Sequence, residues 1–199
     1  MRKLLLTCLA ICLGLFKPAL AQQGQDFKTI LKENGLEFNQ PVGFVKTGVI
    51  KNPDLYYDYA MKLKKDSFEV RYSVFPLHPL LADYEESLKD PDRTALDPNK
   101  YYRSMFMANI LNVAQVGLED MPSTGDFPSE AVKEEFGADY GATSFFVPNS
   151  EFGANYRLCL MVVIHKKDLA DVYICFLGNN EESFEENMMR AFHALKFKP

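Results

Sequence analysis

Residues 156–178, YRLCLMVVIHKKDLADVYICFLG, decide the fold. Two apolar runs, Leu158 to Ile164 and Val172 to Leu177, flank the polar break His165-Lys166-Lys167-Asp168. β-Branched and large apolar residues dominate both runs, the pattern of two strands around a turn. A central β-hairpin is predicted. Period-two alternation puts Leu158, Leu160, Val162 and Ile164 on one face and Cys159, Met161 and Val163 on the other, so neither face is polar. A strand apolar on both sides requires cover on both sides. The expectation is a single α/β (α+β) domain with an antiparallel sheet of about six strands and helices on both faces.

The strand before the hairpin is read at Ala142 to Val147, entered through Gly137-Ala138-Asp139-Tyr140-Gly141 and left through Pro148-Asn149 and Gly153. A second hairpin is predicted from Tyr56 to Leu63 and Phe68 to Phe75, where Phe68, Val70, Tyr72 and Val74 alternate with Glu69, Arg71 and Ser73. Leu36 and Phe38 belong to a bent edge strand or to two short strands broken by Pro41 and Gly43.

Four helices are expected. Asp26 to Asn34 has apolar residues at helical spacing and ends at Gly35. Asp97-Pro98 opens a principal helix to about Gln115, with Tyr102, Phe106, Ile110 and Val113 on one stripe. Pro128-Ser129-Glu130 starts a short helix that stops at Phe136-Gly137, and Glu181 to Leu195 is amphipathic with an acidic first turn. Between Pro76 and Pro98 the chain makes a proline-rich excursion with at most a short helix near Leu80 to Leu88. Val116 to Phe127 reads as a loop, and Lys196 to Lys198 as a tail.

Residues 1–21 carry a basic start (Arg2, Lys3), an apolar stretch from Leu4 to Phe16, and the small-x-small site Ala19-Leu20-Ala21. The run is too short to span a bilayer, so it reads as a secretory signal peptide followed by one globular domain over residues 22–199. A lipid anchor on Cys12 is the less favoured reading, because Ile11 precedes it and no polar linker follows. The implied location is periplasmic or extracellular. Loss of Arg2, Lys3 and Lys17 from a chain with 22 basic and 27 acidic residues deepens its acidity, which argues against nucleic acid and anionic lipid as partners. Cys159 and Cys175 are the cysteines left after cleavage. Nearly equidistant from the hairpin turn, they are expected to be cross-strand neighbours and free, buried thiols, a bridge being the alternative that an oxidising compartment permits.

The segment Phe38-Asn39-Gln40-Pro41-Val42-Gly43-Phe44, the antiparallel hairpins, one long mid-chain helix and a closing hairpin-helix unit ending in Ala194-Leu195-Lys196-Phe197 resemble the PsbP/Mog1-like superfamily. That resemblance implies a three-layer α/β/α sandwich and a role in binding or assembly, as in photosystem II or with a small GTPase, without a catalytic site. It carries over no individual site residue. The leader, the acidic balance and the proline-rich excursion depart from those systems.

No residue set stands out as catalytic. His78, His165 and His193 are isolated in sequence and are expected to be partly exposed and satisfied by water; none has a metal-ligand neighbour at short spacing. The segment starting Asp90-Pro91-Asp92 is no calcium loop, since Ala95 and Tyr101 stand where glycine and glutamate are required. Neither a metal nor a cofactor is implied. The acidic run Glu181 to Glu186 reads as a solvated helix start. Binding candidates are Asp139 and Tyr140, presented on a turn, Arg103, Asn109 and Asn112 on the outer side of the long helix, and Tyr57 and Tyr59 should their rings line a groove rather than the core. The function expected is an exported, non-catalytic binding or assembly protein of the envelope, with a protein or small ligand as partner. The alternative is a secreted hydrolase whose site assembles from scattered residues. A histidine, a carboxylate and a hydroxyl converging in a deep pocket would favour the hydrolase.

Overall fold

The computed structural model describes residues 26–63, 66–90 and 92–199; the leader expected over residues 1–21 lies outside them. Mixed helices and antiparallel strands make an α+β fold. Nine strands and six helices occur among the described residues. The centre is the hairpin of β7 (Leu158–Lys166) and β8 (Ala170–Gly178), in register from Leu158 opposite Gly178 to Lys166 opposite Ala170. Both sets of alternating side chains point into buried clusters, Leu158 and Leu160 only partly covered. β8 pairs on its other side with β4 (Phe68–Pro76), which pairs with β3 (Tyr59–Leu63) and through it with β2 (Phe44–Thr47). β7 pairs with β6 (Tyr140–Phe146), and β6 with the edge strand β5 (Thr124–Asp126). The sheet therefore has seven strands, β2-β3-β4-β8-β7-β6-β5, rather than about six. The additional strand, β5, lies in the segment expected as a loop.

A second, two-stranded sheet joins β1 (Leu36–Phe38) to β9 (Leu195–Phe197). What reads as the end of the last helix and a tail is thus a strand: α6 spans Glu181–Ala191 and the chain then turns back to pair with β1. The remaining helices are α1 (Phe27–Glu33), α2 (His78–Ser87), α3 (Tyr102–Ala114), α4 (Ser129–Phe136) and the single turn α5 (Ser150–Gly153). A 3-10 turn at Pro98–Lys100 precedes α3, its Asn99 N–H capped by the Asp97 carboxylate, so the long helix begins later than the Asp97-Pro98 signal suggests. Gly137 closes α4 at φ +61°, and a Cβ there would stand 2.7 Å from the Phe197 carbonyl oxygen, so glycine is required.

Buried side chains divide into two clusters according to strand alternation. One contains Val70, Tyr72, Val162, Ile164, Ile174 and Phe176, with residues of α1, α4 and α6. The other contains Cys159, Met161, Val163, Tyr173 and Cys175, with Phe106, Ile110 and Val113 of α3 and Phe152 of α5. β4 also places polar residues on this face: Glu69, Arg71 and Ser73 alternate as an outer face would, yet Arg71 is 4% exposed. Its guanidinium pairs with Glu69 at 2.6 Å, donates to the Phe152 carbonyl and lies 4.9 Å from the Tyr57 ring. A charge is tolerated there because it is both paired and hydrogen-bonded.

The two thiols are free and buried. They are diagonal rather than directly opposed: Cys159 faces Leu177 and Cys175 faces Met161. Burial first, then the neighbouring Cys175 thiol, pushes the Cys159 thiol up.

Candidate functional site

One row of the sheet brings polar groups together. Tyr140 of β6 lies opposite His165 of β7, and His165 opposite Asp171 of β8. His165 was expected at the hairpin turn and in contact with water. It belongs instead to the strand, because the turn is Lys167-Asp168-Leu169 with Asp168 at φ +63°, and it is 4% exposed. Its Nδ1 lies 2.6 Å from Asp171 Oδ1. The contact fixes the orientation of the ring on the strand. Tyr102, the first residue of α3, stacks over the imidazole with ring centroids 4.2 Å apart.

The row continues outward into solvent. The Tyr140 ring lies 4.7 Å from that of Tyr102, and its hydroxyl donates to Asp126 Oδ1 at 2.7 Å. Arg103 lies over the Tyr140 ring at 4.2 Å and donates to Asp126 Oδ2 at 2.9 Å. Asp126 sits on β5, which explains why a strand of only three residues matters to the site. The Tyr140 hydrogen bond, followed by the Arg103 guanidinium, holds the Asp126 carboxyl below its usual range. Burial, and then that same bond, pushes the Tyr140 phenol well up. The planar Arg103 guanidinium lies on an aromatic face while its Nη1 donates to a carboxylate, a combination that the compact lysine ammonium does not reproduce.

Of the residues singled out from the sequence, Arg103 and Tyr140 meet here. Asp139 flanks them: its amide donates to the His165 carbonyl, and its carboxylate accepts from the Lys167 amide, so it staples the hairpin turn to β6. Asn112 is exposed farther along α3, where its carbonyl accepts from Asn149. Asn109 was expected on the outer side of the helix but is buried at 6% exposure, with its Nδ2 left without a hydrogen-bond partner. The reason is angular: residue 109 lies three after Phe106 and four before Val113, on the same inward stripe. Tyr57 and Tyr59 are also buried. Tyr57 accepts from the Ile50 amide, while Tyr59 stacks on Phe27 at 4.5 Å and donates to Gln40. Both rings are packed in the interior.

His165, Asp171, Tyr102 and Asp126 were missed because each is unremarkable alone. A histidine and an aspartate placed symmetrically about a hairpin turn are the one signal that could have found the buried pair. The site has two of the three members of a nucleophilic triad, but the nearby hydroxyl of Tyr140 is committed to Asp126, and the Tyr102 ring covers the imidazole. Among the described residues no group of three or more His, Cys, Asp or Glu side chains could hold a metal ion, and no helix is long and apolar enough to cross a membrane. The chain matches no family model and no curated protein sequence.

Proposed function

We propose that this chain is an exported, non-catalytic binding or assembly protein of the cell envelope, built as a PsbP/Mog1-like three-layer α/β/α sandwich, and that it contacts its partner through the Arg103–Tyr140–Asp126 surface. One observation carries the reading: an exposed arginine is held between a tyrosine ring and a carboxylate, beside the buried Tyr102–His165–Asp171 stack. Ordered aromatic and arginine side chains lose little entropy on contact, which is why such groups anchor interfaces. The separation of α3 from α1, α4 and α6 between the two buried clusters supports the layered reading.

The test is capture from an envelope extract with wild-type protein and with the Arg103→Ala/Tyr140→Ala variant, both checked for native circular dichroism. A discrete partner retained by the wild type and lost by the variant is the expected result. Identical retention by both would refute the contact surface. Export is read separately, by N-terminal sequencing of the processed protein: a start at Gln22 is expected, and a retained leader would refute it.

A further inference from the structure

The face of the sheet opposite the Arg103 cluster is incompletely covered. α6 packs over β4 and β8, whereas α4 reaches only the start of β6, where its Val132 lies against Gly141. The far half of β6 is left open. Phe145 is 53% exposed and Val147 67% exposed, beside the half-buried Leu160 that pairs with Phe145. Phe145 touches α6 only edge-on, through Phe184 at 5.7 Å. On the same face a shallow groove of about 200 Å³ lies between α4 and the end of α6, floored by Phe127, Phe136 and Phe192. Phe145, Val147 and Leu160 are neighbours along the chain and across the strand pair rather than scattered single residues, and adjacent exposed apolar side chains mark an interaction site.

The two helices that flank the groove are acidic, and Glu135, which lines it, is hydrogen-bonded to His193. α4 and α6 carry seven glutamates against Lys133 and Arg190. Arg190 is turned away, donating to the Val42 carbonyl and lying over the Phe44 ring. An apolar floor with an acidic border selects a ligand that is apolar on one side and cationic on the other. A second copy of this acidic chain would bring the same border and repel it, and an anionic lipid surface would be repelled likewise.

We propose that the Phe145–Val147 strip and the α4–α6 groove on the same face form a docking surface for a basic amphipathic segment of a partner protein. This inference rests on the binding-protein reading but uses the other side of the molecule. The probe is a fluorescein-labelled synthetic 18-residue helix of leucine and lysine, with a leucine–glutamate helix of the same apolar pattern as control, followed by anisotropy. Saturable binding of the lysine peptide is expected, weakened about ten-fold or more by Phe145→Ser/Val147→Ser and by Glu135→Lys/Glu185→Lys, and unchanged by Met107→Ser/Leu118→Ser elsewhere on the surface. Equal binding of the glutamate peptide, or unchanged binding to Phe145→Ser/Val147→Ser, would overturn the proposal. So would a wild-type dimer in sedimentation that this variant abolishes, since the occupant would then be a second copy. If Phe145→Ser/Val147→Ser unfolds, Val147→Ser alone reads the same contact. Capture of an envelope partner that is lost with Arg103→Ala/Tyr140→Ala but kept with Phe145→Ser/Val147→Ser would leave the binding-protein reading intact while refuting this surface.

Discussion

Replacing Asp58 by asparagine should stabilise the protein at neutral pH. The Asp58 carboxyl follows Tyr57 just before β3 and is turned inward: Oδ2 accepts from the Val74 amide at 2.8 Å, while Oδ1 is buried without a partner. Burial raises its pKa to about 6 from 3.8, although the Val74 amide acts in the opposite direction. A raised carboxyl means that the folded state holds its proton more tightly than the unfolded one. Stability is then greatest below about pH 4, falls between pH 4 and 6, and is level above that, the loss amounting to about 3 kcal/mol at about 1.4 kcal/mol per pH unit. Asparagine keeps an acceptor for Val74 and is never charged. Its amide takes the place of the unpartnered Oδ1 at a cost of about 1 kcal/mol, leaving a net gain of about 2 kcal/mol at pH 7. For a chain of this size the melting temperature should rise by about 4–8 °C. Urea denaturation of both proteins at pH 4, 5, 6 and 7 gives the difference curve, in which the other carboxylates cancel. A difference that does not grow between pH 4 and pH 7 would refute the reasoning.

Breaking the buried His165–Asp171 pair from one side, with His165→Ala, should cost about 3 kcal/mol because it strands the carboxylate, whereas the apolar double replacement His165→Phe/Asp171→Leu should recover most of that loss in a double-mutant cycle of urea midpoints. Thiol titration should find Cys159 and Cys175 unreactive in the folded protein and both titratable in denaturant without reductant; either one replaced by alanine should cost about 1 kcal/mol in the same urea assay. Gly137→Ala should lower stability by about 2 kcal/mol or more, since it adds left-handed strain to a contact with the Phe197 carbonyl, and thermal melting reads it directly.

The hairpin at 158–178 was legible because its side chains are apolar on both faces, a pattern that only a buried strand satisfies. The glycine stop at Gly137 and the inward stripe of α3 were legible for equally local reasons. What escaped depends on pairing. Three-residue strands such as β5 and β9 are too short to show a period. Polar residues following an apolar run read as a turn, and only the register reveals that His165 has a carboxylate opposite it to meet its hydrogen-bonding needs. Glu69, Arg71 and Ser73 show the alternation of a solvated face, but α5 and the Tyr57 segment, distant in sequence, close over them. The surface cluster around Arg103 was half visible: two of its members are polar residues on a turn and a helix, while Asp126 arrives on an edge strand that only tertiary pairing creates.

The order of pairing in the sheet also governs when the chain can commit to its fold. β4 is central, but its inner edge waits for β8, about ninety residues later, so the amino-terminal hairpin meets its main partner only after a large loop has closed. β6, β7 and β8, by contrast, are consecutive and joined by short connections. Nucleation is expected in that later meander, with β4 and its neighbours condensing onto it afterwards. A chain whose first half cannot complete a sheet alone remains open until its second half is present. Pulse-labelled hydrogen exchange during refolding should therefore protect the amides of β7 and β8 before those of β2 and β3.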